Sequence, residues 1–313
     1  MKKKVVVIGG GTGMSTLLKG LKQFPMDISA IVTVCDDGKS SGILRKEFNT
    51  PAVGDVRRVL VSLSENESAL EKIFNYRFQT VGDLNGHTVG NLLLTAMTNM
   101  TGSISGAIAT LNSILDLKGN VIPLTENSDV KLVAEMKDGS IVEGEHNITQ
   151  SNNVIKRVYY EEDPKVSKEA LTKIEEADLI ILSMGSLYTS IIPNLICKDI
   201  VKSIDKSKAR ILYVCNMMTQ PGETDNFKAS DHVKELNKYL GKKKVSIIMV
   251  NNLAIDPELA LKYQTLEEKL PVEVDLENLK KLEIIEDDFF LIEDNTIRHN
   301  AIKLGFHIFS LLL

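Results

Sequence analysis

The chain has 313 residues, with a hydrophobic fraction of 43% and a charged fraction of 25%, the make-up of an ordinary globular protein with room for one large or two ordinary domains. Acids outnumber bases by 42 to 37, and the net charge of −5 argues against general nucleic-acid binding, which needs a basic face. No apolar run approaches the ~18 residues that suggest a membrane span, and Cys35, Cys197 and Cys215 have neither disulfide nor zinc spacing, so no membrane span and a reducing, cytoplasmic setting are expected.

Lys2, Lys3 and Lys4 resemble the start of a signal peptide, but the apolar run after them stops at Gly9, too short for one. That run, Val5-Val6-Val7-Ile8, is β-branched, as in a strand buried on both faces. Gly-Gly-Gly-Thr-Gly follows at 9–13, and then Met14, Leu17, Leu18 and Leu21 recur at helical spacing. Strand, glycine loop and helix in that order suit a phosphate. Glycines let the backbone approach a ligand, and the helix N-terminus offers free N–H groups. Gly10, Gly11, Thr12 and Gly13 are therefore candidate contacts. A second β-branched run, residues 28–34, ends in Cys35-Asp36-Asp37-Gly38-Lys39-Ser40-Ser41-Gly42. Asp36 falls about 20 residues past the glycine loop, where a dinucleotide fold places the acid that holds a ribose hydroxyl. The adjacent carboxylates of Asp36 and Asp37 suit Mg2+ beside a diphosphate, or sugar hydroxyls, and Asp-Asp-Gly is also good turn chemistry. Neither standard phosphate fingerprint is present. Met14 stands where Gly-x-Gly-x-x-Gly needs its third glycine, and Gly38-Lys39-Ser40 lacks the upstream glycine of a P-loop.

Residues 44–64 read as two short helices broken at Pro51, with Asp55 as N-cap of the second. Arg57 and Arg58 then lie in a first turn, at the positive end of the helix dipole. Either they are solvated or paired with nearby acids, or an anionic ligand or Asp36 and Asp37 compensate them. Residues 68–78 form an amphipathic helix. The glycine-rich loop 82–91 carries His87 and Asn91 into an apolar helix. A lone loop histidine is usually structural, but Gly90 at a helix start suggests close backbone packing or a ligand. Residues 104–117 read as an apolar helix in the domain centre. Strands at 121–124, 130–136, 140–145 and 154–160, with a hairpin turn at Lys137-Asp138-Gly139, read as an antiparallel β excursion over about 120–163 that has too little apolar area to stand alone.

From residue 164 the α/β rhythm returns, with helices at 167–177, 191–204, 230–240 and 259–270. Strands at 178–182, 210–215 and 245–250 end in small polar residues: Gly185, Ser186 and Thr189, then Asn216 and Thr219, then Asn251 and Asn252. Final strands are read at 284–292 and near Thr296, and a C-terminal helix at 301–313 docks on the sheet. In open α/β sheets ligands bind at the carboxyl ends of strands, so these loops are expected to share one crevice. The fold class is α/β, doubly wound with a mostly parallel, Rossmann-like sheet, and residues 1–313 are expected to form a single domain. Tyr263 and Arg298 suit clamping a phosphate or stacking on a base; a surface pair and a helix cap are the plainer alternative. No nucleophile or triad suggests itself, and no catalytic residue is assigned.

Six strings together carry a resemblance over nearly the whole chain. They are Val-Ile-Gly-Gly-Gly-Thr-Gly at 7–13, Val-Cys-Asp-Asp-Gly-x-Ser-Ser-Gly at 34–42, Gly-Asp-Val-Arg-Arg at 54–58, Gly-His-x-x-Gly-Asn at 86–91, Met-Gly-x-x-Tyr-Thr-Ser at 184–190 and Asn-Met-Met-Thr-Gln-Pro-Gly-Glu-Thr at 216–224. The chain resembles the gluconeogenesis-factor (YvcK-type) branch of the CofD-like family. The resemblance implies a protein that binds a nucleotide sugar, UDP-N-acetylglucosamine, and regulates growth on gluconeogenic carbon sources and cell shape. It makes Tyr263 and Arg298 nucleotide-sugar contacts and supports Asp36 and Asp37 as the site acids. Regulatory protein partners, and self-association as a homo-oligomer, are compatible with such a role. The alternative is a transferase like the family's namesake, moving a phospho-lactate group from a nucleoside diphosphate carrier with Mg2+ on Asp36 and Asp37. A further alternative, from the topology alone, is an NAD-binding redox protein.

Overall fold

The computed structural model describes residues 2–151, 153–293 and 296–313, and of Lys39 the backbone alone; the expected contact through the Lys39 side chain lies outside the described residues. Strand β1 (Lys3–Gly9), helix α1 (Gly11–Leu21) and strand β2 (Met26–Val32) follow the first β-branched and helical patterns. Helices α2 (Lys39–Phe48), α3 (Gly54–Leu63), α4 (Glu67–Asn75), α5 (Val89–Thr101) and α6 (Ile104–Leu115) precede strand β3 (Asn120–Pro123). Then come β4 (Leu132–Met136), β5 (Ile141–Glu143), α7 (Glu145–Gln150) and β6 (Ile155–Tyr160). Helix α8 (Lys168–Glu175) leads to β7 (Leu179–Leu182). A π-helical turn (Leu187–Ile191) runs from there into α9 (Ile192–Leu195) and α10 (Lys198–Lys206). The chain continues through β8 (Arg210–Val214), α11 (Ala229–Tyr239), β9 (Ile247–Asn251), α12 (Pro257–Glu267) and α13 (Leu276–Leu279). It ends with β10 (Glu283–Asp287), β11 (Phe290–Glu293), β12 (Thr296–His299) and α14 (Ala301–Ser310).

Seven strands form one parallel sheet in the order β10-β9-β8-β7-β1-β2-β3. The winding runs outward from the β1/β7 pair in opposite directions, so the strand order reverses there. Two separate apolar clusters cover the two faces, one around Ile8, Leu182 and Tyr213 and the other around Val7, Leu17 and Ile181. That burial on both faces is why β1 and β7 read as unbroken apolar runs rather than alternating ones.

Several expectations are corrected. Residues 120–123, read with the antiparallel excursion, pair in parallel with β2 and form the sheet edge, and the separate antiparallel sheet is β5-β4-β6. The strand read over 284–292 is two strands: β10 joins the main sheet, and β11 turns away to pair with β12. Helix α6 is not central. It buries Ile104, Ala107, Ile108 and Leu111 and leaves Ile114 exposed. Asp55 is not an N-cap; Val53 holds that place and Asp55 lies inside the first turn of α3. Among the described residues no single helix is long and apolar enough to cross a membrane; α5 and α6 reach that length only together, and they are bent by 114°.

Candidate functional site

The reversal between β1 and β7 brings the loops after both strands together, where an open α/β sheet receives ligands. The contact is close: a Cβ on Gly13 would stand 2.2 Å from the Met184 carbonyl oxygen, so only glycine fits. Asn216, at the end of β8, locks the second loop to the third. Its Oδ1 accepts from the Gly185 N–H at 2.9 Å, and its Nδ2 donates to the Gly185 carbonyl at 2.7 Å.

Residues 10–13, Gly185, Ser186, Asn216, Thr219, Tyr263 and Arg298 line one cavity of about 510 Å³. Most of its polar groups are already committed to the protein. Ser186 Oγ donates to Glu223, whose oxygens lie 2.6 and 2.8 Å away, and accepts from the backbone N–H and the hydroxyl of Thr189. Thr189 is buried behind Ser186. Thr219 Oγ1 accepts from the Leu270 N–H at 2.9 Å. Tyr263 is buried, packs with Met217 and Ile297, and accepts the Ile297 N–H on its hydroxyl at 2.8 Å. That bond fixes the β11–β12 hairpin and so presents the neighbouring Arg298, whose side chain is exposed to the cavity.

Asp36, Asp37, Ser40, Ser41, Arg57, His87 and Asn91 line a second, larger cavity of about 1470 Å³. The single crevice expected from the sequence is thus two. Five of these residues form one hydrogen-bonded chain. His87 Nδ1 lies 3.1 Å from Ser40 Oγ, Asn91 Nδ2 donates to Ser40 at 3.0 Å and to Ser41 at 3.4 Å, and Ser41 donates to Asp36 at 2.9 Å. Asp36 also accepts the Gly38 N–H at 2.9 Å, the local Asx geometry that starts α2. Asp37 points elsewhere and accepts the His146 N–H at 2.7 Å. The two acids therefore do not converge as a chelating pair, and the described residues contain no group of three His, Cys, Asp or Glu that could hold a metal ion. Asp36 and Asp37 are the carboxylates that Mg2+ would take beside a diphosphate, and each already accepts a backbone N–H.

Three carboxylates that the sequence reading did not place in the site shape the region. Asp55, buried and paired with Arg58 at 2.7 Å, accepts the Gly11 N–H, so a protein carboxylate already takes up a donor at the N-terminus of α1. Burial raises its pKa and Arg58 opposes the rise. Glu223 is buried at the start of the π-helical turn; burial raises its pKa, and Ser186 and the Tyr188 and Leu187 N–H groups hold it down. Glu145, the first residue of α7, is pushed up to about 8 by burial and by the negative fields of Asp36, Asp55 and Asp37, while a hydrogen bond with Thr189 opposes the rise. Glu223 and Asp55 sit inside strings singled out for resemblance. Nothing around Glu145 in the chain announces its role, because these neighbours come from the loop after β2, from α3 and from the π-helical turn.

The fold and these loops define a doubly wound α/β protein with one cavity at its topological switch point and a second beside the end of β2. The chain belongs to the CofD family: the model described as 2-phospho-L-lactate transferase CofD matches residues 5–290. Among its relatives, a protein of Bacillus subtilis (strain 168) named gluconeogenesis factor is 45% identical over 314 residues, covering 99% of this chain and 98% of that one. A gluconeogenesis factor of Halalkalibacterium halodurans is 47% identical over 307 residues, covering 97% and 95%. The crystal structure of a Bacillus halodurans member of the UPF0052 family superposes with a TM-score of 0.93 at 46% identity, over 98% of this chain and 99% of that one.

Proposed function

We propose that the chain binds a nucleotide sugar of the UDP-N-acetylglucosamine type in the smaller cavity. In this reading it acts as a cytoplasmic regulator of growth on gluconeogenic carbon and of cell shape rather than as a catalyst. The observation that carries this reading is the meeting of the glycine loop, Gly185, Tyr263 and Arg298 around one cavity of about 510 Å³, within the range of small-molecule sites. The glycine loop and the helix start behind it suit a diphosphate, and Arg298 supplies an exposed fork for phosphate oxygens. The names of the relatives support the physiological part of the reading.

Thermal-shift measurements with UDP-N-acetylglucosamine, UDP-glucose, GDP and NAD, each with and without Mg2+, test it. At about a hundred times its dissociation constant a ligand stabilises by ~2.7 kcal/mol, a readily measured shift. A response confined to UDP sugars, with the ligand recovered intact, supports the regulator. A response to GDP that requires Mg2+ favours the transferase that the family description names, and a response to NAD alone overturns both.

A further inference from the structure

The larger cavity holds a buried cation that pairs with no carboxylate among the described residues. Arg57, on α3, is 5% exposed. Its Nη1 donates to Thr88 Oγ1 at 2.5 Å, its Nε has no partner, and it forms no ion pair among the described residues. The acid two positions before it, Asp55, is bonded to Arg58 instead. Asp36 is occupied by Gly38 and Ser41. Arg77 reaches the same cavity, donates to the Gly86 carbonyl and meets no carboxylate among the described residues. Of the other acids lining the cavity, Asp37 is bonded to His146, and Asp129 and Glu143 are exposed.

A buried guanidinium without a directly paired carboxylate is costly. Burial, with the like charges of Arg58 and Arg77, pulls the Arg57 pKa down to about 10 against the opposing fields of Asp36 and Asp55. The fold nevertheless makes room for it. A Cβ on Gly90 would stand 2.7 Å from Arg57 Cδ, so a glycine at the start of α5 lets the side chain lie there. The expectation that Gly90 marks close packing is met by this contact. The start of α2 opens on the same cavity through Gly38, Ser40 and Ser41.

We propose that this cavity binds the phosphoryl group of a small phosphorylated ligand, with Arg57 and Arg77 as its cationic contacts. Guanidinium forks match phosphate oxygens bidentately, and a dianion satisfies two unpaired cations at once. The site is lined by different side chains from the nucleotide-sugar cavity and does not rest on that reading.

Calorimetric titration of the full chain with glycerol 3-phosphate, inorganic phosphate and sulfate, at constant ionic strength, tests the proposal. Glycerol 3-phosphate binds the wild type. Arg77→Met, at an exposed position, weakens it at least fivefold, Arg57→Met abolishes it, and Arg298→Ala leaves it within twofold. Tighter binding of glycerol 3-phosphate than of inorganic phosphate identifies an organic phosphate as the ligand, and equal binding identifies free phosphate. Absence of binding to the wild type overturns the proposal. So does equal loss in Arg298→Ala, or binding that matches sulfate and ignores Arg77→Met. If Arg57→Met does not fold, the Arg77 and Arg298 variants decide the outcome alone.

Discussion

Asn216 closes both ends of its amide on the backbone of Gly185, accepting from the N–H and donating to the carbonyl. The residue read as a ligand donor is therefore first a clamp between the loops after β7 and β8. Asn216→Asp keeps the acceptor but sets a carboxylate against the Gly185 carbonyl. We expect it to cost about 1–3 kcal/mol in urea unfolding, the usual range for a lost hydrogen bond that leaves a group unsatisfied, and to weaken UDP-sugar binding in the same variant.

Tyr263 and Arg298 separate by readout. Tyr263→Phe keeps the ring among Met217 and Ile297 but leaves the Ile297 N–H without its acceptor, so unfolding stability falls by about 1–3 kcal/mol. Arg298→Ala removes an exposed side chain, so stability stays within about 0.5 kcal/mol. UDP-sugar affinity in that variant falls by about 1.5–3 kcal/mol, the loss expected for a charged hydrogen bond. Wild-type affinity in the Arg298 variant removes that residue from the site.

Glu145 gives the chain a pH dependence. The folded state keeps a proton on it up to about 8, whereas the unfolded chain loses that proton near the ordinary value of 4.5. Between those two values the folded state binds more protons, so this group's contribution to stability falls as pH rises and levels off above about 8. Glu145→Gln fixes the neutral form. Its melting temperature should exceed that of the wild type by about 2–4 °C at pH 8.5, and match it at pH 4.5, by differential scanning calorimetry.

Ser186 is the hydroxyl donor to the buried carboxylate of Glu223. Ser186→Ala leaves two backbone N–H groups to hold that charge. We expect a loss of about 1–3 kcal/mol where Glu223 is ionised, shrinking as falling pH puts a proton on it, measured by denaturant melts across a pH series.

The three thiols should be silent in the native state. Cys35, Cys197 and Cys215 are buried and unpaired, and burial pushes Cys35 and Cys215 up to about 12 and Cys197 higher still. The thiolate is the reactive form, so a thiol reagent at pH 8 should label all three only as fast as the chain opens, and urea should release them together.

The main sheet was legible because its strands are covered on both faces. Val5 to Ile8 and Leu179 to Leu182 are apolar without alternation, and each ends at a glycine or a small polar residue. Asn120–Pro123 carried the same kind of signal, and nothing local says whether such a run pairs with β2 or with β4. The short helices α7 and α13 were beyond periodicity, which needs two or three turns to show. In the site, residues carried by contiguous strings were found. Asp55 was seen but misread, because its partner Gly11 lies on another element. Glu145 was invisible because its pKa is set by acids distant in the chain. The division into two cavities was hidden for the same reason: the loops are adjacent in sequence logic, and only packing decides which face each other.

The contact of Gly13 with Met184 and the clamp of Asn216 on Gly185 tie the ends of β1, β7 and β8 into one rigid floor. A ligand that settles on that floor has little protein to order. The entropy of association then falls on the ligand itself and on the free side chain of Arg298. Differences in affinity among related nucleotides should therefore appear mainly in how fast each one leaves, with arrival rates nearly the same.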